Sequence, residues 1–285
     1  MIATHADSLI AFQGYAGANS DLAIREACPG MTAYPCRTFE DAFEAVLDGT
    51  VAQAMIPIDN TVAGRVADVH HLLPDSQLHI VGEHYLRINH NLLGVKGAMI
   101  EGLTHVHSHV HALHQCRKMI RKLGLSALVH DDTAGAAADI AKAGDVTQAS
   151  ISAALAAEVY GLDILKSNIE DAEHNVTRFV LLSREPQIPE PTLPCVTSFV
   201  FWVRHVPAAL YKAMGGFATN GINMTKLESG IGDGFVAAHF YAEVEGHPEN
   251  TPLKLALEEL GYFSEEVRVL GVYPQHEFRM NGGKF

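Results

Sequence analysis

Cations are scarce in this sequence. Twenty Lys and Arg face 33 Asp and Glu, a formal net charge of −13 with the 17 His counted neutral. That balance excludes a general nucleic-acid binder, which needs surplus cations to displace phosphate counterions. It likewise excludes adhesion to an anionic membrane surface. No run approaches the roughly 18 apolar residues of a spanning helix. The first eight residues hold His5 and Asp7 but neither a Lys or Arg nor a long apolar stretch, so they do not read as a signal peptide. Cysteine is sparse too: Cys28, Cys36, Cys116 and Cys195 show no metal or redox spacing. They read as free, buried thiols in a reducing cytoplasm, with a Cys28–Cys36 pair the alternative left open.

Hydrophobic residues make up 48% of the chain and charged residues 19%, the composition of a folded globular protein rather than a disordered one. The 285 residues suggest about two domains. The clearest divide is a proline-rich stretch, with Pro186, Pro189, Pro191 and Pro194 close together. Such a stretch forms an extended, semi-rigid spacer.

Beyond the spacer the pattern predicts strand 196–203, helix 208–220 ended by Asn220-Gly221, strand 222–229, a glycine-rich turn 230–234, strand 235–244, helix 253–260 closed by Gly261, and strand 267–273. The order is βαββαβ, a ferredoxin-like α+β unit. Before the spacer, strands and helices alternate. Strand 9–12 runs into a glycine loop, and Asn19 or Ser20 can cap a helix to residue 27. Thr38 with Asp41 forms a capping box for helix 39–47. Strand 54–58, helix 66–73, strands 79–85 and 91–95, and helices 111–123, 133–143 and 153–160 follow, with Thr133 capping the second of these helices. Strand 177–182 closes the part. This is an α/β pattern with a mainly parallel sheet, built as one sheet or as two small lobes.

Ligands in such folds bind beyond the carboxyl ends of strands. Three segments have that placement. In Gly14-Tyr15-Ala16-Gly17-Ala18-Asn19-Ser20, backbone N–H groups at a helix start either cradle an anion or simply turn the chain. Lys and Ser/Thr of a Walker loop are absent. In Asp59-Asn60-Thr61 a strand ends in short polar side chains, suited to a small polar ligand or to an Asx-turn. In Asn175-Val176-Thr177-Arg178-Phe179, Arg178 either forks a carboxylate or is a solvated strand end. His105, His107, His109 and His111 alternate, but a strand-to-helix change near Ser108 breaks the run. No carboxylate or thiolate completes a zinc set, so no metal site is assigned.

Together these segments resemble the prephenate dehydratase family with a C-terminal ACT domain, from about residue 9 to residue 278. The family's Thr-Arg-Phe signature matches Thr177-Arg178-Phe179. Its Glu-Asn-Ser motif stands as Asp59-Asn60-Thr61 after Pro57-Ile58, and its Ser-His motif as Ser108-His109. The run from Ala112 to Gln115-Cys116, the Gly14–Gly17 loop and the Tyr160-Gly161-Leu162 stretch also fit. In the ACT part, the family's Gly-Ala-Leu stands as Ala208-Ala209-Leu210. Its Glu-Ser-Arg-Pro stands as Glu228-Ser229-Gly230-Ile231, without the Arg and Pro.

The resemblance implies a two-lobed, periplasmic-binding-protein-like catalytic part with a cleft (8–184), a linker (185–195) and an ACT regulatory domain (196–276). It implies decarboxylating dehydration of prephenate to phenylpyruvate without cofactor or metal, in a cytoplasmic homodimer or homotetramer. Thr177 takes the catalytic role; Ala18, Asn19, Ser20, Asn60, Thr61, Ser108, Arg178 and Phe179 take substrate binding. Ala208, Ala209, Leu210, Asn223, Met224 and Glu228 take L-phenylalanine as effector. Arogenate as substrate, and a non-catalytic amino-acid sensor, are the alternatives. Of the −13 charge, −10 falls on residues 1–196 and −3 on 197–285. A dianionic substrate must therefore be held by local donors against the long-range field.

Overall fold

A computed structural model describes residues 5–172, 174–204, 206–231 and 237–285. The chain divides into two compact units. The first holds Met1–Val66 and His84–Phe179; the second holds Ala67–Glu83 and Val180–Phe285. Among the described residues, no helix is long and apolar enough to cross a membrane. All four cysteines are free thiols.

Up to Ser183 the chain forms two sheets with helices, an α/β arrangement. One sheet has the strand order Thr32–Cys36, Leu9–Gln13, Gln53–Asn60, Val176–Ser183, His79–Arg87, with the short Gly64–Arg65 strand pairing off Gln53–Asn60. The other runs Asp163–Lys166, Asn91–Gly94, Gln148–Ser152, His105–Ser108, Ser126–Val129. Pairing in this second sheet is mixed rather than mainly parallel. His105–Ser108 lies parallel to both neighbours, while Asn91–Gly94 pairs antiparallel on both sides.

Local chemistry explains most of the helices. Thr38 and Asp41 form the expected capping box at the start of Phe39–Leu47. The expected continuous helix 111–123 is instead two helices, Val110–Gln115 and Arg117–Leu123. Cys116 breaks them: it leaves helical geometry and is completely buried, which turns Ile120 and Leu123 onto the same core. Asp132, not Thr133, caps Thr133–Ala143, accepting from the Gly135 N–H. The helix Asn19–Ala27 has Ala18 at its N-cap and no side-chain cap, so neither Asn19 nor Ser20 does that job.

In the second unit, four antiparallel strands run in the order Met224–Ile231, Ala237–Glu245, Cys195–Val203, Ser264–Pro274. The helices Ala209–Thr219 and Thr251–Phe263 give the βαββαβ order. Phe199, Phe201, Phe217, Phe240, Leu253 and Leu260 form its core. The second helix passes straight through Gly261 instead of stopping there. An interior glycine costs about 1 kcal/mol, less than burying Leu253, Ala256 and Leu260 returns. The turn expected at 230–234 lies largely outside the described residues. This unit also contains the helix Ala67–Asp75, whose His70 ring meets Tyr241 edge-on at 5.2 Å.

Candidate active site

Two of the expected segments meet, one at the carboxyl end of its strand and the other at the amino end of a neighbouring strand. Gln53–Asn60 delivers Asn60, and Val176–Ser183 opens with Thr177. The Asn60 Nδ2 donates to Thr177 Oγ1 at 2.9 Å and to Asn175 Oδ1 at 2.8 Å. Asn175 Nδ2 donates to Gln115 Oε1 at 2.9 Å, and His90 Nε2 lies 2.7 Å from the same oxygen.

The polarity of this chain follows from one end. Asn60 Oδ1 accepts from the backbone N–H of Val62 and of Ala63, groups that can only donate. Asn60 must therefore present its NH2 to Thr177 and Asn175. Asn175 then presents its oxygen to Asn60 and its NH2 to Gln115. Gln115 Oε1 accepts twice, so His90 Nε2 carries a proton. His90 is buried, which pulls its pKa below the usual imidazole value despite the bond to Gln115 and the charge of Glu170. Nothing in the chain of bonds uses the Thr177 hydroxyl proton. Thr177 thus receives an N–H and keeps its own proton to donate.

The glycine loop follows the strand Leu9–Gln13. Gly14 and Gly17 both have φ in the left-handed half of backbone space, at +121° and +86°. The Gly17 N–H donates to Asp21, and the Tyr160 hydroxyl donates to the Ala16 carbonyl at 2.8 Å. The loop packs on the start of the helix Ala154–Tyr160, where a side chain at Gly17 would meet Ala156 backbone. Asp132 lies against Gly14; burial raises its carboxyl pKa, opposed by the Gly135 and Ala134 N–H groups and by His130 and His109. Burial lowers the pKa of His109, the N-cap of Val110–Gln115.

The other expected residues divide. Ala18 and Ser20 are buried at the loop's helix start, with Asn19 half-buried beside them. The Thr61 hydroxyl donates to the His174 carbonyl and accepts from the Val176 N–H, fastening the two segments together. The Ser108 hydroxyl is buried and donates to the Ile151 carbonyl at 2.6 Å. Arg178 is 6% exposed and faces Asp59 at 3.7 Å, so it is no solvated strand end. Phe179 is buried in the core. The histidine run is divided as expected, His105 and His107 on a strand and His111 on a helix. Among the described residues, no three His, Cys, Asp or Glu gather as a metal set.

In the second unit, Leu210 and Met224 pack on the apolar core, and Ala209 is buried. Asn223 Nδ2 donates to Glu245 at 2.9 Å, and Glu228 lies 3.9 Å from Lys226. Ala208 takes φ +62°, left-handed for a non-glycine residue.

Sequence reasoning named Thr177 and Asn60 but missed the partners that orient them. Asn175 was findable: two residues before Thr177, it shares a strand face. Gln115 stood within a quoted motif. His90 carried no signal that set it apart from sixteen other histidines.

The family model for prephenate dehydratase matches residues 10–187. The chain belongs to the prephenate dehydratase family. A bifunctional N-acyl-homoserine lactone acylase/prephenate dehydratase of Komagataeibacter europaeus is 49% identical over 275 residues, spanning 96% of this chain and 98% of that protein. An arogenate dehydratase/prephenate dehydratase of Arabidopsis thaliana is 39% identical over 93% of this chain and 71% of its own length. The crystal structure of an Arthrobacter aurescens prephenate dehydratase in complex with L-Phe aligns with a TM-score of 0.87 at 28% identity, covering 94% of this chain and 90% of that one. Of Thr177-Arg178-Phe179, the last two side chains are buried and Thr177 is half-buried.

Proposed function

We propose that the protein converts prephenate to phenylpyruvate, water and carbon dioxide. The observation that supports this reading is the Thr177 hydroxyl, held by the Asn60 N–H and, among the described residues, with its own proton unspent. In the reaction the bond from the ring to its carboxylate breaks and carbon dioxide leaves. The electron pair moves into the ring and expels the ring hydroxyl, which takes up a proton and departs as water. Aromatisation supplies the driving force, so the protein must orient the dianion and ease hydroxide departure. A hydroxyl aimed at the leaving oxygen stabilises the charge developing there. An N–H donated to that hydroxyl's oxygen polarises it and makes it a better donor.

Purified protein incubated with prephenate at neutral pH should produce phenylpyruvate. No phenylpyruvate above the spontaneous rate would overturn the reading. L-Phenylalanine is the proposed effector of the βαββαβ part, supported by the Arthrobacter relative solved with L-Phe. A rate unchanged by added phenylalanine would count against it. A homodimer or homotetramer is the proposed assembly, tested by scattering mass in solution, and the reducing cytoplasm is the compartment that four free thiols fit.

The 49% identity to a bifunctional acylase/dehydratase favours a second activity, hydrolysis of N-acyl-homoserine lactones. Release of free homoserine lactone from an acylated one tests it, and none released would exclude it.

A further inference from the structure

The strand Ser126–Val129 ends the second sheet, paired on one side only, with His105–Ser108. All four of its residues are exposed. Between this strand and the helices Val110–Gln115 and Arg117–Leu123 lies a groove of about 340 Å³. Leu113, Ile120, Ala127 and Val129 give it apolar walls, and His114, Arg117 and Arg121 give it nitrogen donors. Arg117 and Arg121 stand one helical turn apart on the same face. Their helix holds four of the chain's 20 Lys and Arg and no acidic residue. Among the described residues, no carboxylate comes within ion-pair distance of Arg117, Arg121 or His114. Asp171, the carboxylate nearest in the bonding pattern, accepts the Lys118 backbone N–H at 3.3 Å instead. Like charges at this spacing repel one another, so the pair weakens its own helix unless an anion sits between them. In a chain of net charge −13, two guanidiniums without a partner beside an apolar wall mark a local complement to an anion.

We propose that this groove binds a small monocarboxylate with an apolar body. The planar guanidiniums of Arg117 and Arg121 offer forked N–H groups that match a carboxylate. The hydrocarbon lies along Leu113, Ile120, Ala127 and Val129 and leaves water. A purely polar anion leaves that wall uncovered, and a neutral hydrocarbon leaves the guanidiniums unpaired. The volume stands at the low end of small-molecule sites, roughly 300–1,000 Å³, which suits a short chain or one ring rather than a long lipid. The groove is distinct from the Thr177 bond chain. On the helix they share, His114 lines the groove while Gln115 turns to Asn175 and His90. The assignment therefore stands apart from the dehydratase reading.

The test titrates octanoate into the full chain by calorimetry and locates it by hydrogen exchange, with octanamide and acetate as controls. Octanoate should protect residues 110–129, and octanamide and acetate should each bind at least tenfold more weakly. The double variant Arg117→Gln, Arg121→Gln should weaken octanoate at least tenfold. Both side chains are exposed, so its melting curve should match the parent's. Octanamide bound as tightly as octanoate, or octanoate unaffected by the double variant, overturns the assignment. So does protection confined to other segments. Protection of 110–129 that grows with protein concentration alone would make the groove an interface between copies of the chain, and overturns it too.

Discussion

The Asn60 amide donates to the Thr177 hydroxyl at 2.9 Å, and among the described residues nothing takes that hydroxyl's own proton. A positioned proton donor is worth ~10²–10⁴ in rate. Thr177→Ala should therefore lose about that much turnover while its melting temperature stays close to that of the parent. Asn60→Asp exchanges the donated N–H for an acceptor that competes for the Thr177 proton, and should lose a similar factor. Near-normal turnover in Thr177→Ala would sink the assignment.

The bond chain ends on His90, whose pKa burial lowers against the opposing bond to Gln115. Its folded pKa lies below the unfolded value of about 6.5. The unfolded chain therefore takes up a proton first as pH falls, and stability present above about pH 6.5 is lost below it. The melting temperature should drop from pH 7.5 to pH 5.5, and less steeply in His90→Gln. His109 and His239 are shifted the same way by burial and supply the remaining slope. An identical slope in His90→Gln would show that His90 is not the group responsible.

Much of this was legible because it is local. The Thr38 capping box, the strand at Leu9–Gln13 and the βαββαβ order depend on residues near one another in sequence. What escaped depends on burial by distant segments. The break at Cys116 comes from the core that buries its side chain. Asp132 outcompeted Thr133 as a cap because an N-cap needs extended backbone one residue earlier than the periodicity suggested. Thr177 and Asn60 were nameable as single residues, but their bond spans 117 positions, and His90 reaches it only through Gln115 and Asn175.

Arg178 shows how a signature residue can serve the frame. It is buried and faces Asp59, the residue beside Asn60, so it steadies the strand end that carries the site. Arg178→Gln should cost about 1.5–3 kcal/mol of stability, the worth of hydrogen bonds to a charged group. KM should change little. A large rise in KM at unchanged melting temperature would instead make Arg178 a substrate contact.

In the second unit, Arg279 joins two buried carboxylates. Its Nε lies 2.7 Å from Glu83 Oε1 and its Nη2 lies 2.9 Å from Glu243 Oε2, with those side chains 0% and 1% exposed. Removing one partner of such a cluster costs about 3–5 kcal/mol, because the desolvated charge stays behind. Arg279→Met should lower denaturant stability by that order. Adding Glu83→Gln should recover part of it, a coupling that separate, additive effects would not show.

Ala208 stands at φ +62°, ψ +21° before the helix Ala209–Thr219. An L-residue in the left-handed region costs roughly 1–2 kcal/mol. Glycine removes that cost but loses more freedom on folding, roughly 0.5–1 kcal/mol. Ala208→Gly should therefore stabilise the protein by about 0.5–1 kcal/mol, a rise of roughly 1–3 °C in melting temperature. The same change frees the main chain at the entry to a segment proposed to hold phenylalanine. If that segment contributes to effector binding, the variant's response to phenylalanine shifts as well, while Ala213→Gly, inside the same helix, only destabilises. A fall in melting temperature for Ala208→Gly would rule out the left-handed conformation as a source of strain.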